Sequence, residues 1–336
     1  MKNAVIGLGL ESSCDETSAS VVTDGKTVLS NEIVSQIDLH REYYGVVPEI
    51  ASRAHLEVIN ILIERALARA GIGFADLDYV SATARPGLIG SLLIALQSAK
   101  AISYAMGIPL ISVDHLEAHL YAPFLEKNMP AYPYIGLLIS GGNTAIYRVA
   151  GIGLIETIGK TTDDAVGEAF DKVSKFLGLG YPGGPAIEKA AAMAVAKRVF
   201  LPKILPGPDD RRFSYSGIKT AVITRMKAHP DTDLNEIAYA FQERALEILV
   251  RRVFSAARDE KIANIVIAGG VAANGRLRDM LRKESRPDEN IIIASPLLCT
   301  DNAAMVCGLA YHYFISGKHD GLDCDVHART ALSSRS

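Results

Sequence analysis

The chain has 336 residues, with 35 Lys and Arg against 38 Asp and Glu, and 49% of its residues are hydrophobic. This length allows two domains with a sizeable core, and the balanced composition excludes a disordered, coiled-coil or collagen-like chain. The 4 cysteines form no CxxC pair. They therefore indicate neither a disulfide framework nor a cysteine zinc site, and we expect a reducing, cytoplasmic compartment.

One segment, 86–113, is apolar enough to raise the question of a membrane span. It contains Lys100 near its centre and a break at Gly107-Ile108-Pro109. A charge at that depth, followed by a break, favours a buried helix and then a buried strand. The N-terminal apolar run reaches Glu11 too early for an export signal and is predicted to be a strand. We therefore expect no membrane association.

Short apolar strands alternate with helices in the first half of the chain. Proline in a first turn and glycine just past an end are typical helix boundaries, and Pro48 and Gly71 stand in those places. The predicted elements are strands at 4–10, 19–23 and 28–36, a helix from 48 to 70, a strand at 79–83, a helix at 88–106 and a strand at 110–113.

The second half begins in the same way. A strand, a polar turn and a second strand stand at the head of both halves, and each half later has a strand, a glycine-containing turn and a helix. This echo predicts an α/β fold with two similar lobes and a cleft. The predicted elements are strands at 134–139, 145–149, 265–268 and 291–294, and helices at 274–284 and from about 301.

His115 and His119 stand four residues apart in HLEAH. On a helix this spacing separates them by only about 40°, so both imidazoles leave one face, as metal ligands do. Glu117 lies about 200° from His115, on the opposite side, and cannot serve as the base of a metalloprotease. Two half-exposed histidines without a metal remain an open alternative.

Asp301 is the candidate third ligand. It follows Thr300, a typical N-cap residue, and precedes an apolar helix. The alternative interpretation is a negative charge in the first helical turn, where the helix dipole favours it. Two histidines and one carboxylate would leave positions open for substrate oxygens and would suit Fe²⁺ or Zn²⁺.

Two glycine-containing turns follow predicted strands, at 140–144 and at 269–274. Glycine allows close backbone approach, and successive N–H groups can bind a phosphate. A hairpin would need the same residues at 140–144 for local reasons. At 269–274 the carboxyl end of the strand favours a ligand.

Charged residues are concentrated in two further segments. Four carboxylates lie within 163–171, before the turn YPGGP at 181–185, and a solvated face is the ordinary explanation of such a run. Phe213 and Tyr215 interleave with basic residues, a composition compatible with phosphate contacts and base stacking or with an ordinary surface. The basic residues are Lys197, Arg198, Lys203, Arg211, Arg212, Lys219, Arg225 and Lys227.

Taken together, nine segments occur in the order typical of one family. The chain resembles the TsaD family, the tRNA N6-adenosine threonylcarbamoyltransferases. The segments are GLESSCDETS (9–18), VVPEIASRAH (46–55), HLEAH (115–119), SGGNT (140–144), DDAVGEAFDKV (163–173), YPGGP (181–185), FSYSGIKT (213–220), GGVAAN (269–274) and CTDNAAM (299–305).

The resemblance implies a two-lobed actin/Hsp70/sugar-kinase-like fold with a duplicated βββαβα core and an interlobe nucleotide cleft. We expect an N-terminal lobe at 1–132 and a C-terminal lobe at 133–302. A C-terminal helix at about 303–336 could return to the first lobe.

The resemblance also implies the reaction. A threonylcarbamoyl group passes from threonylcarbamoyl-AMP to N6 of the adenosine next to the anticodon, in tRNAs that read codons beginning with A. ATP or ADP could occupy the same cleft. The expected partners are tRNA, a TsaB-like paralogue, a TsaE-like ATPase and, upstream, a TsaC-type adenylate synthase.

Site residues follow from the resemblance position by position. His115, His119 and Asp301 are the implied ligands of one divalent ion, with Fe²⁺ expected first and Zn²⁺ second. Asp15, in the turn SCDET, is our predicted general base, because a carboxylate there would face the cleft. The implied adenylate- or nucleotide-binding residues are Leu138, Ile139, Ser140, Gly141, Gly142, Asp171, Gly184 and Asn274.

Two departures from the family pattern stand out. Arg85 precedes Pro86 where many members have glycine, and Asn143 stands where many bacterial members have histidine. Arg85 indicates a turn that needs no positive φ, a strained residue, or an added phosphate contact.

Two alternative functions compete with threonylcarbamoyl transfer. A small-molecule kinase of the same superfold would share the glycine turns but would not need HLEAH. A non-catalytic scaffold paralogue would be expected to lack the metal motifs, whereas all three candidate ligands are present here.

Overall fold

The computed structural model describes residues 4–43, 45–202, 207 and 210–334. Internal contacts distinguish two units: unit 1 comprises Met1–Met129 with Leu297–Leu332, and unit 2 comprises Pro130–Pro296 with Ser333–Ser336. Our predicted boundary put Asp301 in the C-terminal lobe, whereas these contacts group it with unit 1.

Strands and helices alternate along the described residues. The strands are β1 (Ile6–Glu11), β2 (Glu16–Thr23), β3 (Thr27–Ser35), β4 (Tyr79–Arg85), β5 (Leu110–Asp114), β6 (Tyr134–Ile139), β7 (Thr144–Gly151), β8 (Leu154–Lys160), β9 (Asn264–Ala268), β10 (Asn290–Ile293) and β11 (Ser333–Ser334). The helices are α1 (Ile37–His40), α2 (Pro48–Ala70), α3 (Ile89–Met106), α4 (His115–Tyr121), α5 (Val166–Leu177), α6 (Gly183–Ala192), α7 (Ser216–Ala228), α8 (Leu234–Asp259), α9 (Gly275–Glu284), α10 (Pro296–Cys299) and α11 (Ala303–Ile315).

The predicted strands and helices are all present to within a few residues. The sequence-based prediction missed the strands β8 and β11 and the helices α1, α5 to α8 and α10. It was also wrong about the C-terminal helix, because α11 ends at Ile315 and the chain continues to 332 in unit 1 without another helix among the described residues.

Unit 1 is built on a five-stranded sheet of order β3-β2-β1-β4-β5. Strands β1, β2 and β3 form an antiparallel meander, and β4 and β5 run parallel to β1. Leu8 and Leu10 of β1 join a core with Leu62 of α2 and with Leu92 and Leu96 of α3. Since side chains alternate along a strand, these leucines leave Gly9 on the other face.

Helix α11 packs on that other face. A Cβ at Gly9 would clash with the Ala303 carbonyl oxygen and lie 2.7 Å from Cys307 Cβ, so only glycine allows the approach. The Tyr79 hydroxyl donates a 2.8 Å hydrogen bond to the Cys307 carbonyl. These contacts fix the start of α11 against β1. They therefore also fix the position of Asp301 and Asn302, which directly precede this helix.

Unit 2 repeats the arrangement. Its sheet has the order β10-β9-β6-β7-β8-β11, in which β6, β7 and β8 form an antiparallel meander and β9 and β10 run parallel to β6. The duplicated order confirms the predicted two-part α/β core. Helices α5 to α8 are inserted between β8 and β9, and α8 buries Phe241, Leu246, Leu249 and Phe254.

Helix α3 is the only described helix that is long and apolar enough to cross a membrane by length and composition. Its residues Leu92, Leu96 and Ala99 are buried in the core of unit 1, and Lys100 Nζ donates to the Cys324 carbonyl. The buried strand β5 follows it, as predicted, but only 33% of α3 is buried, so this helix is buried on one face and not throughout.

Candidate metal centre and nucleotide-binding turns

The two histidines of HLEAH lie on one face of α4. His115 is the first residue of this helix, and the side chain of Asp114 caps it by accepting a 3.0 Å bond from Leu116 N. The Nε2 atoms of His115 and His119 are 3.1 Å apart, and both rings are buried. The predicted common face is confirmed. Glu117 points elsewhere and accepts a hydrogen bond from the Tyr313 hydroxyl at 2.7 Å.

Asp301 completes the group. Its Oδ1 lies 2.9 Å from His119 Nε2 and 3.5 Å from His115 Nε2. It is not in the first turn of a helix, since α11 begins at Ala303 and Asn302 is its N-cap, accepting from Met305 N. The helix-dipole interpretation of Asp301 is therefore wrong.

The three side chains fit a divalent metal ion. One donor atom from each lies within 4.8 Å of the other two. Around an ion bonded at about 2.0–2.1 Å, neighbouring ligand atoms are roughly 3.0–3.4 Å apart, close to the 2.9–3.5 Å between these atoms. Two imidazole nitrogens and one carboxylate oxygen are also a donor set that Fe²⁺ and Zn²⁺ accept.

Glu11 orients His115 from behind. This fully buried carboxylate ends β1, and its Oε2 lies 3.1 Å from His115 Nδ1. It also accepts bonds from the Thr83 hydroxyl and, at 2.6 Å, from Ser13 N. A proton held on Nδ1 by Glu11 leaves Nε2, which faces Asp301, as the ring nitrogen that can exchange its proton for a metal ion, which is how carboxylates support metal-bound histidines. The sequence analysis missed Glu11, although a carboxylate at the end of a buried apolar strand is a usable signal.

The electrostatics of this cluster favour a cation. Burial alone would lower the pKa of His115, but the carboxylates of Asp301 and Glu11 raise it to about 9. Burial and the neighbouring His115 lower the pKa of His119. Burial alone would raise the pKa of Asp301, but His115 and His119 bring it down to about 2. The carboxylate is therefore ionised at neutral pH, and the cluster stabilises positive charge.

Asp15 lies in the turn between β1 and β2, and its carbonyl accepts a 2.9 Å bond from Gln36 N. Burial, then the charges of Asp301 and Asp15, raise the pKa of the adjacent Glu16 to about 10. Glu16 is thus protonated at neutral pH and shares a hydrogen bond with Asp15. The sequence analysis singled out Asp15 as a base and missed this neutral partner.

Burial and Asp15 raise the pKa of the Cys14 thiol well above its ordinary value. The thiol stays protonated at neutral pH, so Cys14 is a half-buried, unreactive cysteine rather than a nucleophile. Arg85 has no positive φ, because the described non-glycine residues with positive φ are Asp24, Lys197 and Lys261. Its turn therefore needs no left-handed residue.

In unit 2, the predicted glycine turns come together at the carboxyl ends of β6 and β9. Gly269 has φ +91°, and a Cβ there would clash with the Ile139 carbonyl, so the two strand ends run in close contact. A Cβ at Gly141, Gly142 or Gly270 would meet nothing within 4 Å, which leaves open space beside the backbone. The side chains of Leu138 and Ile139 are fully buried, so these residues can contribute backbone groups alone.

The other predicted nucleotide residues have structural bonds of their own. Asp171 Oδ1 accepts a 2.6 Å bond from Gly183 N, which joins α5 to α6 next to Gly184. Asn274 caps α9 through its Oδ1 and donates from Nδ2 to Gln242 Oε1 at 3.1 Å. Gly184, like Gly141, Gly142 and Gly270, has open space beside it.

The carboxylate run at 163–171 is not an ordinary solvated face. Asp163 accepts bonds from the Ser214 hydroxyl and, at 2.8 Å, from Tyr215 N, and Asp164 forms ion pairs with Lys172 and Lys219.

Two expectations for the basic segment at 197–227 have a different outcome. Phe213 and Tyr215 are fully buried, so they cannot stack on bases, and Lys203 lies outside the described residues.

The fold class is clear from solved structures. Full-length HypF, in a phosphate- and nucleotide-bound form, matches with a TM-score of 0.63 at 15% identity, over 97% of this chain and 56% of that one. Component A of (R)-2-hydroxyglutaryl-CoA dehydratase from Acidaminococcus fermentans matches with a TM-score of 0.55 at 17% identity, over 92% and 98%. Together with the duplicated sheet, these matches show that the chain has the predicted actin/Hsp70/sugar-kinase-like fold.

The family is defined by closer relatives. A profile described as TsaD, tRNA N6-adenosine threonylcarbamoyltransferase, matches residues 27–307. The enzyme of that name from Geobacter sp. (strain M21) is 45% identical over 323 residues, 95% of this chain and 94% of its own. That from Syntrophotalea carbinolica is 46% identical over 328 residues, 96% and 95%. The chain belongs to the TsaD family of tRNA-modifying acyltransferases.

Proposed function

We propose that this chain transfers a threonylcarbamoyl group from threonylcarbamoyl-AMP to N6 of the adenosine next to the anticodon, in tRNAs reading codons that begin with A. The observation that carries the proposal is the convergence of His115, His119 and Asp301 in a chain of this family. In the reaction the N6–carbonyl bond forms, the bond from the carbonyl to the AMP oxygen breaks, and N6 loses a proton.

A divalent ion, Fe²⁺ or alternatively Zn²⁺, would be held by His115, His119 and Asp301. When bound it supplies Lewis acidity toward donor oxygens, which offsets the negative charge that develops in acyl transfer. Glu11 holds the His115 ring with its Nε2 atom turned to Asp301. Ser13 and Thr83 in turn hold Glu11.

Asp15 is the proposed base for the N6 proton. The exocyclic amine of adenine is a poor nucleophile, so removal of its proton during attack lowers the barrier. Glu16, neutral at physiological pH, bonds to Asp15 and fixes the direction of its carboxylate. Asp15→Asn should therefore abolish turnover with supplied donor while leaving the fold intact.

The glycine turns of unit 2 are the proposed binding site for the adenylate and for ATP or ADP. Backbone N–H groups of Gly141 and Gly142 can approach a phosphate because no side chain covers them, whereas Ser140 N already donates to the Asn143 carbonyl at 2.8 Å and would contribute its hydroxyl. Asp171, Gly184 and Asn274 lie in or beside the other turns proposed for this role. Their main contribution would be positioning of the donor.

Of the two competing functions, a small-molecule kinase explains the glycine turns but gives no reason for three converging metal donors. A scaffold paralogue explains neither the donors nor Glu11 behind them. We further propose cytoplasmic action with a TsaB-like paralogue and a TsaE-like ATPase, on an adenylate supplied by a TsaC-type synthase.

Reconstitution tests the proposed function. Labelled threonine, bicarbonate, ATP, the partner proteins and a tRNA reading an ANN codon are incubated with and without this chain, and modified nucleoside is measured by mass spectrometry. We expect product with the wild type and almost none with Asp301→Asn. Asp279→Asn removes an exposed carboxylate paired with Arg282 and should behave as wild type. No chain-dependent product would overturn the proposal.

A further inference from the structure

The C-terminal segment of unit 1, residues 318–331, follows the edge of the sheet. Asp320 N donates to the Leu110 carbonyl at 2.8 Å, and Asp320 Oδ2 accepts from Ser112 N at 2.6 Å. Further on, His327 N donates to the Ala84 carbonyl at 2.9 Å. This segment, the C-terminal strap, is thus hydrogen-bonded to both β5 and β4.

The strap ends on the residue that caps the metal-binding helix. Thr330 Oγ1 donates a 2.6 Å bond to Asp114 Oδ2, and Ala331 N lies 3.4 Å from the same oxygen. The other oxygen, Oδ1, caps α4 by accepting from Leu116 N at 3.0 Å and Glu117 N at 3.5 Å. One carboxylate is therefore fixed from both sides, by the strap and by the helix.

This cap matters because, in the described part of the chain, only one of the two histidines has a hydrogen-bond partner on its Nδ1 atom. Glu11 orients His115 through its Nδ1. The Nδ1 of His119 is buried and has no hydrogen-bond partner among the described residues. Apart from the Nε2 contacts with Asp301 and His115, the direction of the His119 ring depends on the position of α4, a helix of 7 residues whose first turn rests on Asp114.

We propose that Thr330 is a positioning residue of the metal centre, which holds α4 through Asp114 and so keeps His119 Nε2 directed at Asp301. The inference rests on the proposed metal site but not on the transfer reaction. Thr330 touches no proposed ligand directly, and its effect passes through a charged hydrogen bond and a helix cap.

Two conservative variants test this role. Thr330→Val removes the hydroxyl and keeps the shape, whereas Thr330→Ser keeps the hydroxyl. Affinity for Co²⁺ and Zn²⁺ is measured on the full chain by competition with a chromophoric chelator, without donor or tRNA. We expect Thr330→Val to bind roughly 3- to 10-fold more weakly, below the 10–100-fold cost of losing a direct supporting residue. Thr330→Ser should bind as wild type.

Hydrogen exchange supplies the second measurement. Thr330→Val should speed exchange in the peptide covering 114–121 and leave α2 unchanged. Ser316→Ala is the matched control, because Ser316 bonds only to the end of α11 in the same C-terminal region, through its hydroxyl and the Tyr313 carbonyl. Ser316→Ala should change neither the metal affinity nor the exchange rate of the peptide covering 114–121.

Each outcome decides the matter. Unchanged metal affinity in folded Thr330→Val overturns the inference while leaving the metal site intact. Equal weakening in Ser316→Ala also overturns it, because the effect would then be general loosening of the C-terminal region. A wild-type chain that binds no divalent ion overturns both the inference and the proposed metal centre.

Discussion

The pair of Glu11 and His115 decides which nitrogen of the imidazole is available to a ligand. Without a partner, a neutral histidine distributes its proton between both ring nitrogens. Here the buried carboxylate lies 3.1 Å from Nδ1 and is itself held by Thr83 and Ser13. Three residues distant in sequence thus leave Nε2 as the nitrogen of His115 that can bind an ion.

Glu11→Gln should weaken metal binding by roughly 10- to 100-fold, because the amide keeps the shape but loses the charge that holds the Nδ1 proton. Chelator competition with Zn²⁺ measures this. Glu32→Gln is the control, since Glu32 pairs with the exposed side chain of Arg69 in the same unit. Wild-type affinity in Glu11→Gln would show that Glu11 has no part in ligand orientation.

Cys307 provides a pH-dependent test of burial. Burial raises the pKa of its thiol from 9.0 to about 12. Below pH 9 the thiol is neutral in both folded and unfolded chains, so it contributes no pH dependence. Above pH 9 the unfolded chain loses this proton while the folded one keeps it, and the free energy of unfolding falls as pH rises toward 12.

The midpoint of urea unfolding should therefore drop between pH 8 and pH 10, and drop less in Cys307→Ala, where this group is missing. Each variant is compared with itself across pH. The constant loss of unfolding free energy caused by the smaller alanine side chain therefore does not affect the result. An identical pH response in both proteins would contradict the assigned burial of the thiol.

At the scale of elements, local sequence signals were sufficient to predict a helix or strand where all of them indicated the same secondary structure. Pro48 and Gly71 marked α2, and short apolar runs marked the strands of both sheets. Helix α5 was missed because its acidic residues were interpreted as a charge run, although Val166, Phe170, Val173 and Leu177 form a buried stripe.

The arrangement around the metal centre could be predicted only in part. The helical spacing within HLEAH was local and sufficient for its common face. The contacts of Glu11 with His115 and of Thr330 with Asp114 join residues 104 and 216 positions apart, so no local pattern contains them. These long-range contacts form only when whole helices and strands pack against one another.

The approach of α11 to β1 makes Gly9 a sensitive position. Gly9→Ala should lower the free energy of unfolding by about 1–3 kcal/mol, because its methyl group would meet Ala303 and Cys307 in a packed interior. Urea unfolding measures the loss. Gly142→Ala is the matched control, since its methyl group would meet no atom within 4 Å, and its stability should stay close to wild type. Equal losses would contradict the close packing at Gly9.

At the scale of the molecule, the same five-strand order carries different chemistry in each unit. Unit 1 holds His115, His119 and Asp301, and unit 2 holds the open glycine turns. The sequence echo predicted the duplication. It did not predict that Asp301 belongs to unit 1, because that depends on the return of α11 to the first sheet through a largely buried helix.

This division predicts separate responses to two ligands, read by hydrogen exchange on the full chain. A ligand stabilises the conformation that binds it, by about 2.7 kcal/mol at 100 times its dissociation constant, and so suppresses local opening around its site. Zn²⁺ should slow exchange at 115–121 and 297–305 in unit 1, and ADP should slow exchange at 138–143 in unit 2.

Single substitutions should remove these responses one at a time. His119→Ala should abolish the effect of Zn²⁺ and keep that of ADP, because it deletes a metal donor and leaves the glycine turns unchanged. Gly142→Ala should do the reverse, since its methyl group enters the space proposed for the phosphate. If Zn²⁺ still protected 115–121 in His119→Ala, the ion would be bound by other residues, and the metal centre would have to be reassigned.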